Sequence, residues 1–516
     1  MKLGPRFTNA CIHLRSIIIN HVKKLELRSN ALNFDQPTNV WIVEVEQVKF
    51  FYNTIARNIF NIVIINSTLL NLRPSYFSDK FSPNALVLKK SVITTDYLQI
   101  SQKDFLFRLP HQMTLVVVED STVYTSLTVS FMKITAKTVL VQKNQLNLAG
   151  GVRSDVQLAG DHIVFSHNKV VALIDRAVEL TPSTSLLLED NQVDRENILE
   201  LMFPEHKLDS INILRSALGV AQERLKKNFI KAKVSSLKIE GCYLQIDNEG
   251  VFVVESDNFI LKNNHLVNMA TSAFEVKVYE SFQALNNTFD HCKKKAFFDI
   301  SPMMNVTQMM MINNTFLNPE DGFLKLSPAF ELNMDNLAIN NLSIYKPCSC
   351  DLPHNMITDI KTEQKSLSMS LVNKTSNKSQ LDLERVLFQS IWCIDRKSNE
   401  LTNLISLSSC LSLHRTNLPN GDAGEATKAR EATEATEASE AAEATKPPQA
   451  TDQDLTWVLG LFLGLLILAI IGLCIFFAIR SRLILEILLS LHSSFNQAEE
   501  VREVQVTWRP EDDTEL

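Results

Sequence analysis

The stretch FILKNNHLVNMATSAFEVKVYESFQALNNTFD, residues 259–290, decides the fold. One pattern occurs in it twice: apolar, any, apolar, two residues, Asn, any, apolar. The copies are Phe259-Leu261-Asn264-Leu266 and Phe282-Ala284-Asn287-Phe289. Period-two alternation in Val, Ile, Leu and Phe reads as short strands, because successive side chains of a strand point to opposite faces. Helical periodicity is absent from these windows.

Working outward, the same pattern returns at Leu25-Leu27-Asn30-Leu32, Val139-Val141-Asn144-Leu146, Ile163-Phe165-Asn168-Val170, Leu186-Leu188-Asn191-Val193 and Met309-Met311-Asn314-Phe316. Looser copies begin near Val48, Ile62, Leu86, Val116, Leu237 and Leu337, with Asn53, Ser67, Ser91, Ser121 or Cys242 in the polar position of five of them. A repeat of about 23 residues is one coil of a solenoid, which hides its apolar face only by stacking on its neighbours. Stacking aligns the polar positions, so Asn30, Asn53, Asn144, Asn168, Asn191, Asn264, Asn287 and Asn314 are predicted to form a column bonded along its own length. That role is structural and leaves little capacity for a ligand.

Two solenoids use such a repeat. The strings LELRSNAL at 25–32 and LLLEDNQV at 186–193 are similar to leucine-rich repeats. A second strand-like string follows the Asn position in the best-kept stretch, however: AFEV at 273–276, AFFDI at 296–300 and GFLKL at 322–326. Two or three strands per turn resemble the right-handed parallel β-helix of pectate-lyase-like proteins, over about residues 20–345. The expected class is therefore mainly β, with the leucine-rich receptor as the other reading. Residues 194–232 interrupt the repeat, and the spacing of Ile211, Ile213, Leu214, Leu218, Leu225 and Phe229 predicts a helical insertion.

Beyond the repeat, residues 346–415 carry Cys348, Cys350, Cys393 and Cys410, four of the eight cysteines. They suit a disulfide-containing cap over the open end of the solenoid in an oxidising compartment. Cys348 and Cys350 are too close to bridge each other without strain, so each is expected to pair with Cys393 or Cys410, in an order the spacing leaves open. A zinc site is the rival use. The Cys348-Ser349-Cys350-Asp351-Leu352 start also resembles the C-terminal flank of leucine-rich ectodomains, although the interval to Cys393 is long for that pattern.

Residues 416–456 hold a Glu-Ala-Thr tract without aromatic residues, which reads as a stalk. Residues 457–479, WVLGLFLGLLILAIIGLCIFFAI, form 23 residues without a charge, long enough as a helix to cross a hydrocarbon core. Arg480 and Arg482 follow, and Asp452 and Asp454 precede, so the positive-inside rule places 480–516 in the cytoplasm and the N-terminal part outside a plasma membrane. Sequons at Asn66, Asn286, Asn305, Asn313, Asn341, Asn373 and Asn377 all precede the span. The opening residues contain no sustained apolar run of signal-peptide type, and an incomplete N-terminus is the expectation. The terminal Thr514-Glu515-Leu516 has the form bound by PDZ domains.

A net charge of −7 and a pI near 5.9 argue against nucleic acid as a partner, which would require a basic stripe. No phosphate loop, metalloprotease helix or nucleophile elbow is visible, so neither catalysis nor a cofactor nor a metal is expected. Asp290, His291 and Asp299 are the nearest approach to a carboxylate site, but they come from one coil and read more simply as turn residues. The resulting expectation is a surface recognition or adhesion receptor for an extracellular protein or glycan. A membrane-tethered carbohydrate-active enzyme is the alternative.

Overall fold

A computed structural model describes residues 1–4, 14–51, 54–76, 83–95, 104–149, 154–173, 176–193, 198–218, 229–246, 248–294, 297–302, 308–326, 337–356, 386–407 and 504–507. These residues build a right-handed parallel β-solenoid. Most coils carry one long strand, a sharp corner and one short strand, as in Phe252–Lys262 followed by His265–Val267, or Phe274–Leu285 followed by Thr288–Asp290, while others split the long strand in two, as in Phe297–Pro302 and Gln308–Ile312. The short strands stack into a 17-stranded sheet. The long strands stack into a second sheet and bend midway, where the register slips between Gly160 and His162 and between Ser256 and Asn258. The bend gives each coil three sides. A leucine-rich horseshoe would return through helix or irregular chain, whereas the return here is strand.

Alternation decides what goes inside. In Phe252–Lys262 the buried positions recur every second residue on each side of the bend. The inward residues align from coil to coil: Ile163 pairs with Leu186, Leu186 with Ile211, Ile211 with Leu237 and Leu237 with Phe259. Such columns fill the interior with side chains, each shielding its neighbour from water. Aromatic columns do the same at the C-terminal end, where Phe252 stacks on Phe274 at 4.5 Å and Phe289 on Phe316 at 4.9 Å.

Among the described residues of 194–232 the expected helix is replaced by strand; residues 194–197 and 219–228 lie outside the described residues. The described ones form a further coil, with strands Leu199–Leu201, Leu208–Leu214, Ala217–Leu218 and the start of Ile230–Glu240. Ile211 and Ile213 point inward in strand alternation, and Ser216 sits in the polar position between Asn191 and Cys242. The neighbouring Leu214, which is half-buried and faces outward, completed a false helical spacing.

At the C-terminal end the parallel stacking is stopped. Leu342–Pro347 pairs in parallel with Ile391–Ile394, which then pairs antiparallel with Leu401–Asn403. Leu387, Phe388, Ile391 and Leu404 close over the last coil. Cys348 is bonded to Cys393, 45 residues away, and Cys350 is also disulfide-bonded. Cys410 lies outside the described residues, as do the stalk, the apolar stretch 457–479 and the terminal tripeptide. Among the described residues no helix is long and apolar enough to cross a membrane. Val504–Thr507, from the segment expected to be cytoplasmic, lies parallel to Ser16–Asn20 of the first coil, with Ile17 opposite Val504.

Candidate functional site

The first candidate is the polar column. It runs along the corner after each long strand, and its members are buried. Backbone N–H groups donate to the side chain one coil ahead: Ser67 to Ser91 (3.4 Å), Ser91 to Ser121 (3.1 Å), Ser121 to Asn144 (2.9 Å), Asn144 to Asn168 (3.0 Å) and Asn168 to Asn191 (3.1 Å). The second run joins Cys242, Asn264, Asn287 and Asn314 at 2.9 to 3.1 Å. Each asparagine also gives Nδ2 to a carbonyl of the coil before it, such as Asn144 to Val118 and Asn264 to Ile239, both at 2.8 Å. With its donors and its acceptor engaged, the column is a seam and not a binding site. Asn30 stands apart from it, at an exposed turn after Lys24–Leu27, and Asn53 lies outside the described residues. Val22 and Val45 hold the corresponding corner positions in the first coils.

Beside the seam runs an exposed column the sequence reading missed. The residue before each polar position has a positive φ, among them His21, Glu44, Asn66, Lys90, Asp120, Lys143, His167, Asp190, Arg215, Gly241, Asn263, Asn286, Asn313 and Asn341. Asparagine and glycine tolerate this left-handed corner best. Four sequons, those at Asn66, Asn286, Asn313 and Asn341, therefore sit at exposed corners. Three are bonded along the column: Asn286 donates to Asn263 at 3.2 Å, and Asn341 donates to Asn313 at 3.0 Å. Asn305, Asn373 and Asn377 lie outside the described residues.

Charges on this edge pair across coils. Arg215 donates to Asp190 at 2.9 Å and also to Glu189, and His167 lies 3.2 Å from Asp190. Hydrogen bonds from Arg215 hold the Asp190 carboxyl below the usual range and push the guanidinium up. Glu240 is similarly depressed between Lys238 and Lys262, at 2.5 and 2.9 Å. On the long-strand sheet Tyr279 donates to Glu255 at 2.5 Å, which lowers the carboxyl and raises the phenol. Such pairs hold neighbouring coils in register.

The carboxylates singled out in the sequence lie on different sheets. Asp290 ends a short strand between Val267 and Leu317, with His291 at the next corner, 2.7 Å away. Asp299 belongs to the long-strand sheet, where Glu275 is its register partner, a carboxylate neighbour the sequence reading had not recognised. Cys242 and Cys292 are free and buried, and burial pushes the Cys242 thiol up to about 11 and raises that of Cys292 as well, so both are poor nucleophiles. Among the described residues no group of three or more His, Cys, Asp or Glu is placed to hold a metal ion.

The second candidate is the outer face of the long-strand sheet beyond the bend. There the outward column begins with Ile18, Trp41, Val63 and Val87. It continues through Val117, Leu140, Val164 and Leu187, each in register with the last, and turns polar only at Asn212 and Lys238. Outward positions of a half-solvated sheet are ordinarily polar, so seven aliphatic residues and Trp41 in register across eight coils make an apolar strip, half-buried except at Val63, which is buried. The residues were visible in the sequence; their alignment required the register. No family model, curated protein or solved structure matches the chain.

Proposed function

We propose that this protein is a non-catalytic recognition or adhesion receptor whose solenoid offers a protein partner the outer face of its long-strand sheet. The observation that carries the reading is the apolar column from Ile18 to Leu187. A continuous apolar strip with Ser, Thr and Asn beside it favours a protein surface over a glycan, whose hydroxyls would call for clustered polar and aromatic groups. The Asn seam keeps the coils rigidly in register behind that face. In this reading 457–479 anchors the chain, 416–456 spaces the solenoid from the bilayer, and Thr514 and Leu516 offer a PDZ-type scaffold its ligand.

One observation favours the enzyme reading: Glu275 and Asp299 are neighbours in register. A digestion assay of the purified full chain against a polysaccharide panel separates the two. The recognition reading expects no cleavage, and bond cleavage abolished by Glu275→Gln would overturn it.

A further inference from the structure

We infer that the partner covering this face is a second copy of the same chain, the two solenoids packing sheet to sheet through the column centred on Val87 and Val117. The inference rests on the recognition reading and names its occupant.

Charge is the first argument. From the coil of Trp41 to the coil of Leu140 the outward positions on the central column and on the columns flanking it carry only two charges, Lys89 and Glu119. Those two lie 2.8 Å apart and neutralise each other within one copy. A neutral apolar face gives a charged partner nothing to select, yet meets an identical face without repulsion, as a two-fold interface requires. Past Leu187 the column changes to Asn212 and then Lys238, which the Glu240 carboxylate engages, so the strip ends where like charges would begin to face each other.

Area is the second argument. Eight coils at about 4.8 Å spacing and about five residues of strand at about 3.3 Å give roughly 600 Å² on each copy. About 1,200 Å² for the pair is the lower edge of what specific interfaces bury. Packing of two sheets face to face is also the ordinary way such a surface is covered.

Sedimentation velocity of the full chain, solubilised and lipid-free, tests this. The wild type is expected to sediment as a dimer. Val117→Lys and Leu140→Lys, at outward positions whose replacement leaves the core intact, should each weaken self-association about 30-fold or more, by desolvating an unpaired charge at the interface centre. Asn212→Lys, on the same column beyond the strip, should leave the dimer as it is. Melting curves for each variant separate dissociation from misfolding. A wild type that remains monomeric, or a dimer that survives both lysine variants while they stay folded, overturns the inference. A monomer that still binds cells through this face overturns only the second copy as occupant, whereas polysaccharide cleavage overturns the recognition reading itself.

Discussion

Asn168 meets Asn191 twice, donating to its Oδ1 from the backbone N–H at 3.1 Å and from Nδ2 at 3.2 Å, while the same Nδ2 reaches the Val141 carbonyl at 2.8 Å. One side chain thus closes hydrogen bonds of three successive coils, because Asn144 donates in turn to Asn168.

Asn168→Ala removes an acceptor from two Asn144 donors and a donor from Val141, all in a buried corner. Leaving such groups unpaired should cost roughly 2–4 kcal/mol. Asn168→Ser keeps one acceptor, as Ser121 does naturally, and should cost less. Thermal melting followed by circular dichroism ranks the variants. If the alanine variant melts with the wild type, the seam contributes nothing.

Gly160 lies at the bend of its long strand, between Ala136 and Pro182 of the adjoining coils. A Cβ there would come within 2.5 Å of the Ala136 carbonyl oxygen and 3.2 Å of Val139 Cγ2. The carbonyl belongs to a strand held on both sides and has no room to retreat. Gly160→Ala should cost about 1–3 kcal/mol by overpacking, and protease cleavage should rise around the bend. Unchanged melting and digestion would mean that the coils can separate locally at no cost.

Acid should loosen the charged edge. The carboxyls of Asp190 and Glu240 are held low, the first by hydrogen bonds from Arg215, the second by Lys238 and then Lys262. A carboxyl depressed in the folded state contributes stability above its unfolded value, about pH 4, and loses it as the pH falls through the folded value. The cations are substantially exposed, so screening keeps the effect small and salt-sensitive. Melting temperature should therefore fall below about pH 4, less steeply in the Arg215→Met, Lys262→Met double variant or in high salt. Equal acid slopes in all three cases would remove these pairs from the account.

What the sequence revealed and what it hid follow from where the information lies. Phe259, Leu261, Asn264 and Leu266 announce a coil because inward and corner positions are chemically narrow. A small acceptor fills the corner in most coils, and the inward positions are mostly apolar. The coil at Leu208–Leu214 escaped because six scattered apolar residues can imitate a helix face. The outward column from Ile18 to Leu187 was invisible for another reason. Its members lie 22 to 30 residues apart, at intervals set by loops of unequal length, and only strand register makes them neighbours.

Topology is the remaining prediction, and two relationships pull against each other. An anchored chain that crosses once at 457–479 leaves 504–507 on the far side of the bilayer from Ile17–Asn20, so the ladder between Ile17 and Val504 cannot form within that molecule. The sequons weigh less than they did in sequence, because Asn286, Asn313 and Asn341 recur at left-handed corners that favour asparagine wherever the chain resides. Direct measurement replaces both arguments. For the anchored receptor, N-glycosidase should lower the mass of the chain from sealed cells, Thr288→Ala should abolish any glycan on Asn286, and an epitope after Leu516 should meet antibody only once the membrane is permeabilised. An epitope reached on intact cells, together with glycans on the solenoid, would put both ends on one side. The pairing with the first coil would then stand and the single crossing would not.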